Sequence, residues 1–111
     1  NDSIAIDLVA AADLPLGRHE LRIVTAGGES APLAIEADTL ANMEEVEPND
    51  DPKLAMDLST PIQVWGTLSA AGDVDHFTFS AETGQELVFD AFAKRMGSSA
   101  NVVVSIIDSA G

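Results

Sequence analysis

From residue 3 to residue 9 the chain alternates, with Ile4, Ile6 and Leu8 on one side and Asp7 on the other, and this period of two predicts a β-strand. The alanines at 10–12 extend an i, i+4 stripe from Leu8, so a helix stands as the rival reading. Pro15-Leu16-Gly17 predicts a turn, proline fixing φ and glycine admitting a positive one. Leu21 and Ile23 then alternate with Arg22 and Val24 in a second strand. After a turn at Gly27-Gly28-Glu29-Ser30, Leu33 and Ile35 alternate with Ala34 and Glu36 in a third. Residues 1–38 therefore read as a small antiparallel segment of three strands. Such a piece buries little by itself, so it packs on the rest of the chain or closes a domain begun elsewhere.

Residues 38–43 read as a connector. Asp51 is placed to cap a short helical turn with Pro52 at its first position, the turn running over 54–58 and ending before Pro61. Ile62 and Val64 alternate with Gln63, Trp65 and Thr67, and Gly66 in that strand marks a bulge or a close backbone approach. Over 76–80, Phe77 and Phe79 point inward between polar neighbours, which leaves His76 on the solvent side. Further strands are predicted over 87–92 and 102–107, separated by a Gly/Ser loop. Trp65 and Phe92 are expected to pack on sheets. The fold class is all-β.

Composition narrows the function. An apolar fraction of 46% arranged with β periodicity predicts a folded chain even at a formal charge of −14. That charge argues against nucleic acid and anionic membranes as partners, since Lys94-Arg95 is the one adjacent basic pair. There is no cysteine, hence no disulfide, zinc-thiolate site or thiol nucleophile. No apolar run approaches the ~20 residues of a membrane span, and residues 1–3 lack a basic leader, so any signal sequence is expected to have been removed or to lie outside this sequence.

The charge is concentrated. Glu44-Glu45-Val46-Glu47-Pro48-Asn49-Asp50-Asp51 holds five carboxylates and a carboxamide, and Gly72-Asp73-Val74-Asp75 follows just before the Phe77 strand. Carboxylates this close repel, and the five Lys and Arg of the chain cannot neutralise them, so a hard cation such as calcium is the economical partner of both clusters as one site. Pro48 holds Glu47 extended, so that Glu45, Glu47 and Asn49 project to one side. With no histidine or cysteine in either cluster, the donors suit calcium better than zinc or copper. The plainer alternative is a solvated acidic linker.

Two resemblances follow. Residues 14–25 with Gly28-Glu29-Ser30 resemble the closing strands of bacterial immunoglobulin-like modules. Glu45-x-Glu47-Pro48-Asn49-Asp50, the turn reaching Ala55 and Leu58, Val64-x-Gly66-x-Leu68, Gly72-Asp73-x-Asp75-x-Phe77-x-Phe79, Gly84-Gln85-x-Leu87 and the late apolar strand resemble, in order and spacing, the bacterial pre-peptidase C-terminal domain. This second resemblance implies a calcium-associated antiparallel β-sandwich of jelly-roll type, an accessory module of secreted bacterial proteins. It also implies Glu45, Glu47, Asn49, Asp50, Asp73 and Asp75 as metal ligands. Members continue through strands that close the sandwich, whereas this sequence stops at Gly111, so an incomplete, truncated sandwich is expected.

The expected organisation is then an Ig-like end at 1–38, an acidic linker arm at 39–51 and the sandwich at 52–111. The expected role is non-catalytic: a calcium-stabilised, extracytoplasmic accessory or adhesion module, secreted, periplasmic or on the cell surface. Its partners would be other domains of the parent protein or other protein chains. The alternative is a structural subunit that docks through strand edges at 3–9 and 102–107. Catalysis ranks last. Asp75-His76 has no serine elbow beside it, Ser98-Ser99 near Lys94 is ordinary loop composition, and an acid pair of Asp73 and Asp75 would need a cleft.

Overall fold

The computed structural model describes residues 5–108, and within them the fold is all-β, with two single 3-10 turns as its helical content. The start of the first expected strand, residues 3 and 4, and residues 109–111 of a turn expected to begin at Asp108 lie outside the described residues. The chain forms two compact units, Asn1–Thr39 and Leu40–Gly111. The acidic arm belongs to the second.

In the first unit β1 (Gly17–Leu21) pairs antiparallel with β4 (Leu33–Ala37), with His19 opposite Ile35 and Leu21 opposite Leu33. Burial alternates along β1, where Gly17, His19 and Leu21 are half-buried while Arg18 and Glu20 are exposed. Between them β2 (Val24–Thr25) and β3 (Gly28–Glu29) form a two-residue ribbon around Ala26-Gly27, and Gly28 at φ 129° takes a conformation that side chains disfavour. The second expected strand thus begins earlier, at Gly17, and is interrupted at Arg22-Ile23. There the Ser30 hydroxyl accepts from the Ile23 amide at 3.0 Å and the Ser30 amide donates to the Ile23 carbonyl at 2.9 Å. No strand forms over 5–9, because alternation supplies a face but not a partner edge.

The second unit departs from the antiparallel expectation. β5 (Ala41–Glu44), read from sequence as connector, pairs in parallel with β7 (Ile62–Trp65). β6 (Met56–Leu58) pairs in parallel with β8 (Phe77–Phe79). Successive strands join alternate sheets, so the arm and the 3-10 turn at Pro52–Leu54 act as the crossover that parallel pairing requires. The helical turn expected over 54–58 is confined to Pro52–Leu54, and its cap is as expected, with the Asp51 carboxylate accepting from the Lys53 amide at 2.9 Å. Small two-stranded sheets are present; a closed sandwich is not among the described pairings.

No strand forms over 87–92 or 102–107. Phe89 packs its ring on Phe79, centroids 5.1 Å apart, but Val88 is 87% and Val103 83% exposed. Trp65, expected to pack, is 54% exposed, and Phe92 lies under the Arg95 guanidinium at 4.0 Å. Among the described residues no apolar side chain is fully buried, and the one fully buried residue is Asn49.

Candidate metal centre

The arm leaves β5 still paired. The Glu45 amide donates to the Trp65 carbonyl at 3.0 Å, carrying the β5–β7 ladder one step past Glu44↔Trp65. Glu45 then turns its carboxylate over Gly66, where it accepts from the Thr67 amide. One residue on, the Val46 amide donates to the Met56 thioether at 2.9 Å, so the arm passes from β7 to β6.

The next link is Asn49. Its amide donates to Glu47 Oε2 at 3.0 Å, and its carbonyl accepts from both the main-chain N–H and Nδ1 of His76, each at 3.1 Å. Since the carbonyl can only accept, the imidazole carries its proton on Nδ1. His76 is half-buried and holds the arm, which corrects the expectation that it faces solvent. Its own carbonyl accepts from the Met56 amide at 3.1 Å, in line with the β6–β8 ladder. These bonds bring Asp75, the neighbour of His76, to the arm.

The result is a cluster of three carboxylates. One oxygen each from Glu45, Glu47 and Asp75 lies within 4.8 Å of the others. Asp75 Oδ1 is buried without a hydrogen-bond partner, and so are both polar atoms of the Asn49 side chain. Burial pushes the Asp75 carboxyl above the usual carboxylate range, and the charges of Glu45, Asp73, Glu47 and Asp50 push it further.

The other two acidic residues expected at the site are engaged differently. Asp73 Oδ2 accepts from the Ser69 amide, and Asp50 Oδ1 receives the Val74 amide at 3.5 Å. The Asp73 carboxyl is held below its usual range chiefly by the Ser69 amide, against the pull of burial, with the Ser69 hydroxyl, the Asp50 side chain and the Ala70 amide adding to it. Both residues close the loop that presents Asp75. Of the six residues named from sequence, three form the carboxylate cluster, Asn49 is the buried amide beside them, and Asp50 and Asp73 brace the loop.

Sequence reading missed what seats these groups. His76 gave no signal beyond its place next to Asp75. Gly66 did, as a glycine inside a strand pattern, although the group that approaches it is a side chain rather than backbone.

The donor set fits a hard divalent ion. It is all oxygen, and it carries three negative charges with one of them partly desolvated and repelled. Comparison with protein-family models, curated proteins and solved structures finds no match to this chain.

Proposed function

We propose that the chain is a non-catalytic accessory module of a larger extracytoplasmic bacterial protein, stabilised by calcium held between the acidic arm and the Asp75 loop. The observation that carries this reading is the convergence of Glu45, Glu47 and Asp75 with a buried, unpartnered oxygen on Asp75. Carboxylates on a solvated linker turn away from one another and hydrate; these three converge, and an uncompensated oxygen in such a position is costly unless a cation satisfies it. Calcium suits flexible carboxylates better than magnesium, which demands near-ideal octahedral geometry and keeps its waters.

The order of the motifs supports membership in the pre-peptidase C-terminal domain family, and so the jelly-roll sandwich and a secreted, periplasmic or cell-surface location; the separate resemblance of residues 14–25 with Gly28-Glu29-Ser30 supports the Ig-like origin of the first unit. The non-catalytic part of the reading rests on the sequence, where Asp75-His76 has no serine elbow beside it. The test is thermal unfolding with calcium, with magnesium and with chelator. Calcium is expected to raise the midpoint by mass action, magnesium to raise it less and chelator to lower it; coincident curves would remove the cation from this reading.

A second reading, a structural subunit docking through unpaired apolar segments, is favoured by the exposure of residues 102–107, among which Val103 and Ile107 stand 83% and 66% exposed. Its test is co-purification of a stoichiometric partner chain with the protein expressed in its parent context.

A further inference from the structure

The β5–β7 register places Trp65 opposite Glu44, and the Glu45 amide bond to the Trp65 carbonyl carries the pairing one residue further, so that Glu45 comes against Gly66. The Glu45 carboxylate then fills the volume a side chain at position 66 would take. A Cβ built on Gly66 would overlap Cδ, Oε1 and Oε2 of Glu45 and meets nothing else so closely. Gly66 is not among the glycines with positive φ, which are Gly17, Gly28, Gly72, Gly84 and Gly97. Its backbone would therefore accept alanine, and what requires glycine here is room.

Beside that room is a donor. The Thr67 amide, the next along the chain, donates to Glu45 Oε1. A vacant Cβ position and an amide aimed across it make a fitted seat for one carboxylate, which fixes the direction from which Glu45 reaches Glu47 and Asp75. We infer that Gly66 is a positioning residue for the cation site: it sets affinity by seating Glu45 and itself binds nothing. This rests on the cation reading above.

Alanine at 66 would evict the end of a flexible side chain and leave backbone undisturbed, so the loss should fall on the site and not on the fold. Calorimetric titration of calcium into the whole chain should show Gly66→Ala binding about 10- to 100-fold more weakly than the native protein, as for other groups that orient a ligand. Glu45→Asp, too short to reach the seat, should weaken binding comparably. Adding Gly66→Ala to Glu45→Asp should then cost nothing further, whereas a merely structural glycine would give losses that add.

A readout free of the ion separates the seat from the metal. In the chelated native protein the Thr67 amide should be protected from hydrogen exchange by its bond to Glu45, and in Gly66→Ala that protection should be lost. If native protein takes up no calcium while Thr67 is protected only with glycine at 66, the seat stands and the cation reading falls. If Thr67 is indifferent to Gly66→Ala, or calcium affinity is unchanged by it, the seat is wrong. A Gly66→Ala chain that misfolds but is rescued by Glu45→Asp supports the seat, and one that is not rescued overturns it.

Discussion

His76 holds the Asn49 carbonyl oxygen twice, through its main-chain N–H and through Nδ1, both at 3.1 Å. This pair joins the acidic arm to the loop that carries Asp75, across a gap in sequence that no hairpin spans. The neutral imidazole is therefore expected in its Nδ1–H form, which nitrogen chemical shifts would report. His76→Ala should lower stability by about 1 kcal/mol, the net worth of one hydrogen bond whose acceptor keeps a second donor. Urea titration checks it; an Nε2–H imidazole would contradict the geometry.

Asp75 should respond to substitution in opposite directions with and without calcium. In chelator, Asp75→Asn relieves a carboxylate raised by burial and by four neighbouring acids, and should raise the unfolding midpoint by a few degrees, about 1 kcal/mol or less. With calcium the same change, and Glu47→Gln, should abolish most of the calcium-dependent gain. Paired melting curves of each variant decide this, and a variant that loses stability equally in both conditions would place its carboxylate outside the shared site.

The pH dependence of the ion-free protein has two limbs, on either side of the ordinary carboxylate value of 3.8. Asp75, raised in the folded state, contributes stability that is full below that value and is lost as pH rises through its folded pKa. Asp73, depressed in the folded state, contributes stability that is full above that value and is lost as pH falls through its folded pKa. Denaturant unfolding in chelator across acid pH should show Asp75→Asn flattening the upper limb and Asp73→Asn the lower. Saturating calcium should flatten the upper limb in the native sequence.

Asp51 provides the control. Its carboxylate caps the 3-10 turn through the Lys53 amide and lies outside the three-carboxylate cluster. Asp51→Ala should cost about 1 kcal/mol in chelator and in calcium alike. A calcium-dependent difference would mean that the ion reaches further along the arm.

Exposed apolar residues over 102–107, on a chain of formal charge −14, predict association that grows with salt. Screening shortens the repulsion to a Debye length of about 8 Å at physiological ionic strength, while the apolar attraction is little affected. Sedimentation across a salt series should show a shift from monomer to larger species.

Local chemistry was legible in the sequence where it acts over a few residues. The Asp51 cap, the positive φ of Gly17 and the inward faces of Val64 and Phe77 depend on neighbours two or three positions away, and each is found, although Gly17 opens β1 instead of sitting in a turn. Pairing was not legible in the same way. Alternation at 87–92 and 102–107 marks a possible face, yet a strand exists only where another edge offers donors and acceptors, and no such edge meets them among the described residues. Ala41–Glu44, with little apolar patterning, is a strand because β7 lies beside it. The acidic residues were legible as a group, but their division was set by loop amides: Ser69 and Val74 engage Asp73 and Asp50, which leaves Asp75 to the arm.

The alternating parallel pairs bear on how the second unit is made. On the ribosome, β5 emerges before the segment it pairs with, and it waits until Ile62–Trp65 has followed. β6 likewise waits for Phe77–Phe79. Neither pair joins adjacent segments as a hairpin does, so β5 and β6 stay unpaired until β7 and β8 have followed them. The four carboxylates between β5 and β6 ride in that waiting segment. There their mutual repulsion, a burden to the finished fold, keeps the unfinished one extended and apart from its neighbours on the same message.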